Sequence, residues 1–475
     1  MMYQVPEHID RNKIFIVRRS EIEGRLDPKM ALYNRKVRHT LYPKVKLKDI
    51  LVCKPQYGAS EPGVTRTNTL EPRYIRITDI DNYGLICNEE MGATAANIED
   101  KYILFENDIL IARSGATVGK SYIHKKKPYS CFFAGYLIRF TIDKNKALPE
   151  YIFTYTQLNT YKEWINAVQR PSGQPNINSE EYQSLEIPLP NIIVQQEIVN
   201  IINSAYNQKL QKESEAQQLL ESIDTYILNE LGITLPKIKT DLKSRMFLVN
   251  RSELETRFDP YYSQGYFKEA FSALYRGNYP IYSIKSLSKL ITSGITPKSG
   301  GEAYTDDKET GIPFIRSGNI DINGDFDFED LLYIKPEIHE TVMKSSQVYK
   351  NDLMIAIVGA TIGQVGIFLD EREANINQAI ALVRLKEGNN IQYIKELIKS
   401  RVGQLSLNRL KRPVARANIN LEEISTIKIP LPPLAKQQEI ANHIYSIRQQ
   451  AKQLQEEGKT ILENAKKEVE QMIIG

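Results

Sequence analysis

One phrase, used twice, limits what this chain can become. Ile187-Pro188-Leu189-Pro190 is followed, after four residues, by Gln195-Gln196-Glu197-Ile198; Ile429-Pro430-Leu431-Pro432 is followed in the same way by Gln437-Gln438-Glu439-Ile440. Paired prolines hold each first half extended, and a long apolar periodicity follows each second half. A strand that exits into a long helix is therefore built twice, about half a chain apart. A unit repeated at that distance means two copies of one fold, and the remaining sequence is read against that duplication.

Other anchors recur in the same order. Val17-Arg18-Arg19-Ser20-Glu21 matches Val249-Asn250-Arg251-Ser252-Glu253, and Tyr74-Ile75-Arg76 matches Phe314-Ile315-Arg316. Asn107-Asp108-Ile109-Leu110-Ile111-Ala112, with Gly115-Ala116-Thr117-Val118-Gly119, matches Asn351-Asp352-Leu353-Met354-Ile355-Ala356 with Gly359-Ala360-Thr361-Ile362-Gly363. Asn176-Ile177-Asn178 matches Asn418-Ile419-Asn420. The offset drifts only from 232 to 244, while the residues between the anchors differ almost completely.

Each copy reads as α+β. Residues 75–80, 108–112 and 136–140 are short apolar runs bounded by turn formers, which predicts strands. Residues 149–168 and 393–410 carry apolar positions at three- and four-residue steps, which predicts one helix in each copy. Beyond the repeated phrase, Ile202, Ala205, Lys209, Lys212, Ala216, Leu219, Ile223 and Tyr226 alternate three and four residues apart. Ile444, Ile447, Ala451, Leu454, Gly458, Ile461 and Ala465 do the same. A 3.5-residue repeat over about four heptads predicts coiled-coil helices that pair with each other. Lys209 and Lys212 interrupt one seam and Gly458 the other. The expected organisation is a globular copy over 1–191, a helix over 192–235, a second copy over 236–433 and a second helix over 434–475. The fold class is α+β, with two homologous α/β domains separated by two long antiparallel helices in a pseudo-two-fold internal repeat.

Charge separates the parts. The net charge is +4, made of +5 over 1–190, −4 over 191–235, +3 over 236–433 and 0 over 434–475. A polyanion would meet the globular copies, and the helices would meet protein. No window approaches the ~18 apolar residues of a membrane span. Three widely spaced cysteines and five scattered histidines suit reduced thiols in a cytoplasm, with no disulfide framework or metal site.

Two motifs suggest enzyme chemistry and miss it. Ser114-Gly115-Ala116-Thr117-Val118-Gly119-Lys120-Ser121 has Ser where a phosphate-binding loop needs its first Gly, and no helix start follows. Its twin has Gln364 and Val365 in place of Lys120 and Ser121. A glycine-rich turn between strands is expected instead. Asp259-Pro260-Tyr261-Tyr262 resembles an amino-group methyltransferase element, yet its twin is Asp27-Pro28-Lys29-Met30 and no Gly-x-Gly pair accompanies it. Hydrogen-bonding and basic residues recur more suggestively, being the types that base edges and phosphates demand. Thr65, Arg66, Arg76, Arg113, Thr117, Lys120, Arg170, Ser172 and Gln174 are the candidates in the first copy. Thr296, Lys298, Ser299, Arg316, Asn319, Thr361, Gln364, Arg409, Lys411, Arg412 and Arg416 are those in the second.

With these residues in place, the chain resembles the DNA-specificity subunits of type I restriction–modification enzymes over essentially its full length. The resemblance rests on the repeated Ile-Pro-Leu-Pro phrase, the Asn-Asp-Ile-Leu-Ile-Ala strand with its Gly-Ala-Thr-x-Gly turn, the Gly294-Ile295-Thr296-Pro297 loop and the two-copy plan. It implies two target-recognition domains, each reading half of a bipartite double-stranded DNA site, and two conserved spacer helices between them. It implies a non-catalytic chain without a cofactor of its own. S-adenosylmethionine would belong to two partner modification subunits, and ATP and Mg to separate restriction subunits. Gln195, Gln196, Glu197, Gln437, Gln438 and Glu439 are the expected partner-binding residues. One departure is that the first copy shows Gly63-Val64-Thr65-Arg66 where the second has the Gly-x-Thr-Pro loop. The alternative is a scaffold protein, two β-rich modules on a coiled coil with no nucleic acid.

Overall fold

A computed structural model describes residues 10, 16–17, 28–87, 91–96, 99–169, 175–238, 241, 246–249, 260–298, 301–321, 323–324, 326–327, 330–411 and 418–475. The chain forms two compact units, one of Met1–Glu213 with Gln455–Gly475 and one of Ser214–Leu454.

Both units repeat one strand plan. In the first, Gln56–Tyr57, Leu137–Phe140, Ile109–Ala112 and Ser121–Ile123 form an antiparallel sheet in that spatial order. A second sheet runs Val64–Thr65, Ala93–Thr94, Arg73–Ile75, Cys131–Phe133, its last two strands parallel, with Ile75 opposite Phe133. Lys44–Lys46 pairs with Glu186–Pro188. The second unit has the same three pieces. Ser288–Ser293, Ile380–Leu385, Leu353–Ala356 and Val365–Ile367 make the antiparallel sheet. Tyr304–Thr305, Leu332–Ile334, Ile312–Ile315 and Ala374–Ile376 make the mixed one, extended by Gln347–Val348. Ile281–Ser283 pairs with Lys428–Pro430.

The shared motifs build this frame. Asn107 and Asn351 take φ of 76° and 71°, a left-handed turn that Asn tolerates better than most residues. The aspartate after each is buried and holds that turn. Asp108 accepts from the Phe105 amide at 2.9 Å and the Thr141 hydroxyl at 2.7 Å. Asp352 accepts from the Tyr349 amide at 2.8 Å and from Arg384 Nε and Nη2 at 2.8 and 2.6 Å. The next four residues are wholly buried in both copies. The phosphate-loop near-miss is a 3₁₀ turn, Gly115–Thr117, between two paired strands. Gly119 stands at φ 84°, and a Cβ there would lie 2.7 Å from Ile165.

Several elements differ from the periodicity. Residues 75–80 are a strand only to Ile75 and then a 3₁₀ turn, Ile77–Asp79. The helix expected over 149–168 is two helices, Pro149–Tyr155 and Asn159–Val168. At the break, the Thr156 hydroxyl and the Gln157 amide are drawn to Ser121 on the sheet, at 2.6 and 2.7 Å. The second copy breaks at Ser400, whose hydroxyl caps the helix Arg401–Leu410 through the Val402 amide. Polar side chains bonded sideways compete with helix continuation, and apolar spacing is blind to them.

The two long helices are Ile192–Leu231 and Leu434–Ile474, 40 and 41 residues. Within the first unit, Lys212 pairs with Glu457 at 2.6 Å, and Ala205 packs with Leu462 and Ala465, so the segments run antiparallel. The irregularities of the two seams coincide there. A Cβ on Gly458 would stand 3.3 Å from the Lys209 backbone, so the glycine makes room for the lysine. Lys209 is itself buried, with its ammonium 2.7 Å from Glu213 and 4.3 Å from the Tyr83 ring centroid. Within the second unit, Glu230 meets Lys436 at 2.6 Å and Tyr226 meets His443 at 4.2 Å between ring centroids, again antiparallel.

The repeated phrase closes each unit. Tyr151 donates to the Pro188 carbonyl at 2.5 Å, and Tyr393 to that of Pro430 at 2.6 Å. Gln195 is buried; its carbonyl accepts from the Leu148 amide at 2.8 Å and its amide donates to the Pro190 carbonyl at 2.8 Å. Gln437 does the same with the Asn390 amide at 2.9 Å and the Pro432 carbonyl at 2.9 Å. Leu148 and Asn390 precede the first turn of a helix in each copy, so one amide joins a helix start, a strand exit and a long helix.

Two outcomes follow for stability. Gln195→Ala leaves a buried carbonyl and a helix-start amide without partners, and should cost about 2–4 kcal/mol in chemical denaturation. Gln196→Ala, at an exposed position, should stay within about 0.5 kcal/mol. Lys399 supplies the second test. Burial lowers its pKa from 10.5 to about 8, while it donates to the Asn323 carbonyl. Between about pH 8 and 10.5 the unfolded chain holds this proton and the folded chain does not. The Lys399 contribution to stability therefore rises with pH across that window. Thermal melts should show the rise in the wild type relative to Lys399→Met.

Candidate nucleic-acid interface

In each copy a set of backbone hydrogen bonds ties together one end of the two sheets. In the first, the Ala59 amide donates to the Phe133 carbonyl at 2.9 Å, Ala134 to Ile75 at 3.0 Å, and Arg113 to Tyr136 at 3.0 Å. Gly115 donates to the Pro175 carbonyl at 2.9 Å, and Ile177 to that of Arg113 at 2.8 Å. In the second, Asn377 donates to Ile315 at 3.1 Å, Ile357 to Ala379 at 2.9 Å, and Ile419 to Ile357 at 3.0 Å. Ser114 bridges Asn176, and Val358 bridges Asn418. A glycine lets the chain into this lattice on both sides. A Cβ on Gly58 would run into the Ala134 carbonyl, and one on Gly294 into that of Ile376. Backbone bonds do not depend on side-chain identity, so exposed residues here can differ without disturbing the frame.

This corrects the matching of loops. The counterpart of Gly294-Ile295-Thr296-Pro297 is Gly58-Ala59-Ser60-Glu61, with Pro62 following, and not the run from Gly63. The signal was in the numbering: Gly58 to Gly294 is an offset of 236, inside the drift of the flanking anchors, whereas Gly63 to Gly294 is 231, outside it.

Several candidates lie at this end. Arg113 follows the strand Ile109–Ala112, with its guanidinium 5.0 Å from the Tyr57 ring centroid and a buried Nε that has no partner among the described residues. Thr117 and Thr361 end the two 3₁₀ turns, half-buried, and Thr361 donates to the Val358 carbonyl at 3.2 Å. Lys120 is half-buried just beyond. Its twin Gln364 has a buried Oε1 without a partner among the described residues. Thr296 is exposed and donates to Gln378 Oε1; Lys298 is exposed. Arg76 and Arg316 leave the parallel strands here, half-exposed. Arg76 binds Asp79 through Nε and Nη2 at 3.1 and 3.0 Å, and Arg316 reaches Asp330 at 3.0 Å. Lys411 caps the helix Arg401–Leu410, its ammonium pKa lowered by burial. Thr65 is exposed on the edge strand Val64–Thr65 of the mixed sheet. Arg170, Ser172, Gln174, Ser299, Arg412 and Arg416 lie outside the described residues.

Five candidates are given interior work instead. Arg66 is 1% exposed; its Nε and Nη2 donate to the Glu71 and Thr69 carbonyls at 2.9 and 2.5 Å, and it covers the Tyr129 ring at 4.1 Å. It braces its own loop from within. Asn319 is buried, its Oδ1 accepting from the Arg316 amide at 2.9 Å. Arg409 donates to the Tyr262 carbonyl at 3.1 Å and stacks 3.8 Å from that ring. Gln195 and Gln437 are buried in the bonds described above and present nothing to a partner. Gln196, Glu197, Gln438 and Glu439 remain exposed, with Gln438 accepting from Asn390 Nδ2 at 2.6 Å and Glu439 meeting Lys436 at 2.8 Å. Tyr57, Tyr136 and Gln378 are also exposed at this end, and neither charge nor recurrence between the copies marks them in the sequence.

Among the described residues, no helix is long and apolar enough to cross a membrane. Cys53, Cys87 and Cys131 are free thiols, two exposed and one buried.

The comparisons with known proteins bear on the same two stretches. The chain is 25% identical over 298 residues to the type I restriction enzyme EcoBI specificity subunit of Escherichia coli, an alignment that spans 62% of this chain and 57% of that subunit. It is 23% identical over 421 residues, 86% of each chain, to the putative type I restriction enzyme MjaX specificity subunit of Methanocaldococcus jannaschii. A chain solved in work on the complex assembly and conformational transition of the type I R–M system shares the fold, with a TM-score of 0.51 at 14% identity. That match covers 90% of this chain and 95% of the other. The family pattern described as the type I restriction modification DNA specificity domain matches residues 44–222 and again residues 276–463. The chain belongs to the type I restriction–modification DNA specificity family, and it carries the family's domain twice.

Proposed function

We propose that this chain is the DNA-reading subunit of a type I restriction–modification system and performs no chemistry itself. Each copy reads one half of a bipartite duplex site. The observation that carries this reading is the common backbone lattice at one end of both copies, furnished with different exposed side chains. A pseudo-symmetric pair of readers suits a split site, and different furnishing gives two different half-sites. The scaffold alternative accounts for the helices but gives no reason for that pattern.

The long helices serve as the ruler between half-sites, and their exposed residues, Gln196, Glu197, Gln438 and Glu439 among them, offer a surface to two modification subunits. S-adenosylmethionine belongs to those subunits, and ATP and Mg to restriction subunits that join them. The assembly works in the cytoplasm, where the genome and reduced thiols are found.

Mapping methylated bases in the host with and without this gene tests the reading directly. A bipartite motif that disappears with the gene is expected, and an unchanged methylome overturns the proposal. Binding of the complex to duplex DNA should weaken linearly in log–log with salt, by about 0.9 per phosphate contacted. The ruler has its own test. Seven residues inserted into each helix, after Glu213 and before Gln455, lengthen the pair by about 10 Å at 1.5 Å per residue. That is about three base pairs of spacer at 3.4 Å each, with both half-sites kept. An unchanged spacer removes the ruler role.

A further inference from the structure

Resting on that reading, we propose that Gln378, oriented by Thr296, determines one base of the half-site read by the second copy. It selects a base that presents a carbonyl oxygen in the major groove, guanine or thymine.

The backbone around Gln378 is fixed on every side. The Asn377 amide donates to Ile315 at 3.1 Å, and its side chain accepts from the Ala379 amide at 3.1 Å. The Ile380 amide donates to the Asn377 carbonyl at 3.3 Å, and the Ala379 carbonyl accepts from Ile357 at 2.9 Å. Gln378 is therefore the exposed tip of a tight turn between the parallel strand Ala374–Ile376 and the strand Ile380–Leu385. Its side chain is also held. Thr296 stands two residues after Gly294, whose missing Cβ lets that loop lie against the Ile376 carbonyl. The Thr296 hydroxyl donates to Gln378 Oε1. With its oxygen engaged, the amide turns its Nε2 hydrogens outward, and Nε2 has no partner among the described residues.

A free glutamine presents an acceptor and a donor side by side, which suits adenine. Binding Oε1 to Thr296 leaves mainly the donor, which suits guanine O6 or thymine O4; cytosine offers it only an amino group, and adenine, left with N7 alone, loses the second bond of its bidentate pair. The hydroxyl thus changes what the amide can read. The first copy has Gly135 at the matching place, followed by Tyr136 at 62% exposure. No amide stands there, so the other half-site is a built-in control.

The test is the methylated motif produced by the complete complex with each variant chain. Gln378→Ala should make one position of one half-site degenerate, with discrimination there falling by roughly 5- to 100-fold. Gln378→Glu should invert that position toward cytosine or adenine, because a carboxylate only accepts. Thr296→Val should free Oε1 and admit adenine beside the original base. All three substitutions lie at exposed positions, and matching melting curves confirm folding. If the wild type yields a bipartite motif and Gln378→Ala yields the same one, the assignment to Gln378 is wrong while the function stands. If the wild type yields no motif, the reading of function fails, and this assignment fails with it.

Discussion

A buried primary amide holds three elements together, and it does so twice. Gln195 and Gln437 each satisfy a helix-start amide and a proline carbonyl that no regular ladder can reach. Proline lacks the N–H that would continue a ladder, so the Pro190 and Pro432 carbonyls lie beyond the paired strands, and a helix leaves its first amides without intrahelical partners. One side chain with both a donor and an acceptor answers both needs inside the core. Because it sits in the first turn of a long helix, the direction of that helix is fixed by the globular fold it leaves. The Tyr151 and Tyr393 hydroxyls, bound to the proline carbonyl two residues earlier, complete the joint.

The repeated motifs turn out to be carpentry. The Asn-Asp pair makes a turn and anchors it, the Gly-Ala-Thr-x-Gly run makes a hairpin, and the Asn-Ile-Asn run bridges the hairpin and caps a short helix through Asn178 or Asn420. These residues are alike in both copies because backbone geometry demands them. Residues that face solvent at the sheet ends carry no such demand, and the copies diverge there. This division explains why the two-copy plan, the long helices and the strand cores were legible in the sequence. Spacing of apolar residues and turn formers encodes those features directly.

The candidate site was less legible, for the same physical reason. Residue type tells what a side chain can bond, and not which bonds it has already made. Arg66 and Asn319 have the chemistry of a DNA contact, yet carbonyls and amides of their own loops claim them. Gln195 looks like surface in a polar run, although its position on the helix points it inward. Gln378 lies in an unremarkable Asn-Gln-Ala stretch, and only the fold brings it beside Thr296. The breaks at Thr156 and Ser400 were hidden similarly, because a hydroxyl bonded to the sheet in one case and to the backbone of the adjoining turns in the other leaves the apolar spacing intact.

The meeting of Lys209 with Gly458 has a consequence of its own. Each residue alone is a flaw in its helix, one a buried charge and the other a weak helix former. Placed at one level they fit, as a tooth fits a notch. Sliding either helix by one turn would set the lysine against a side chain and the glycine against a void. The pair therefore carries a register mark that smooth leucine seams would lack. Any exchange of one helix for that of a relative would have to bring the matching partner along, so the two halves of this gene are bound to change together.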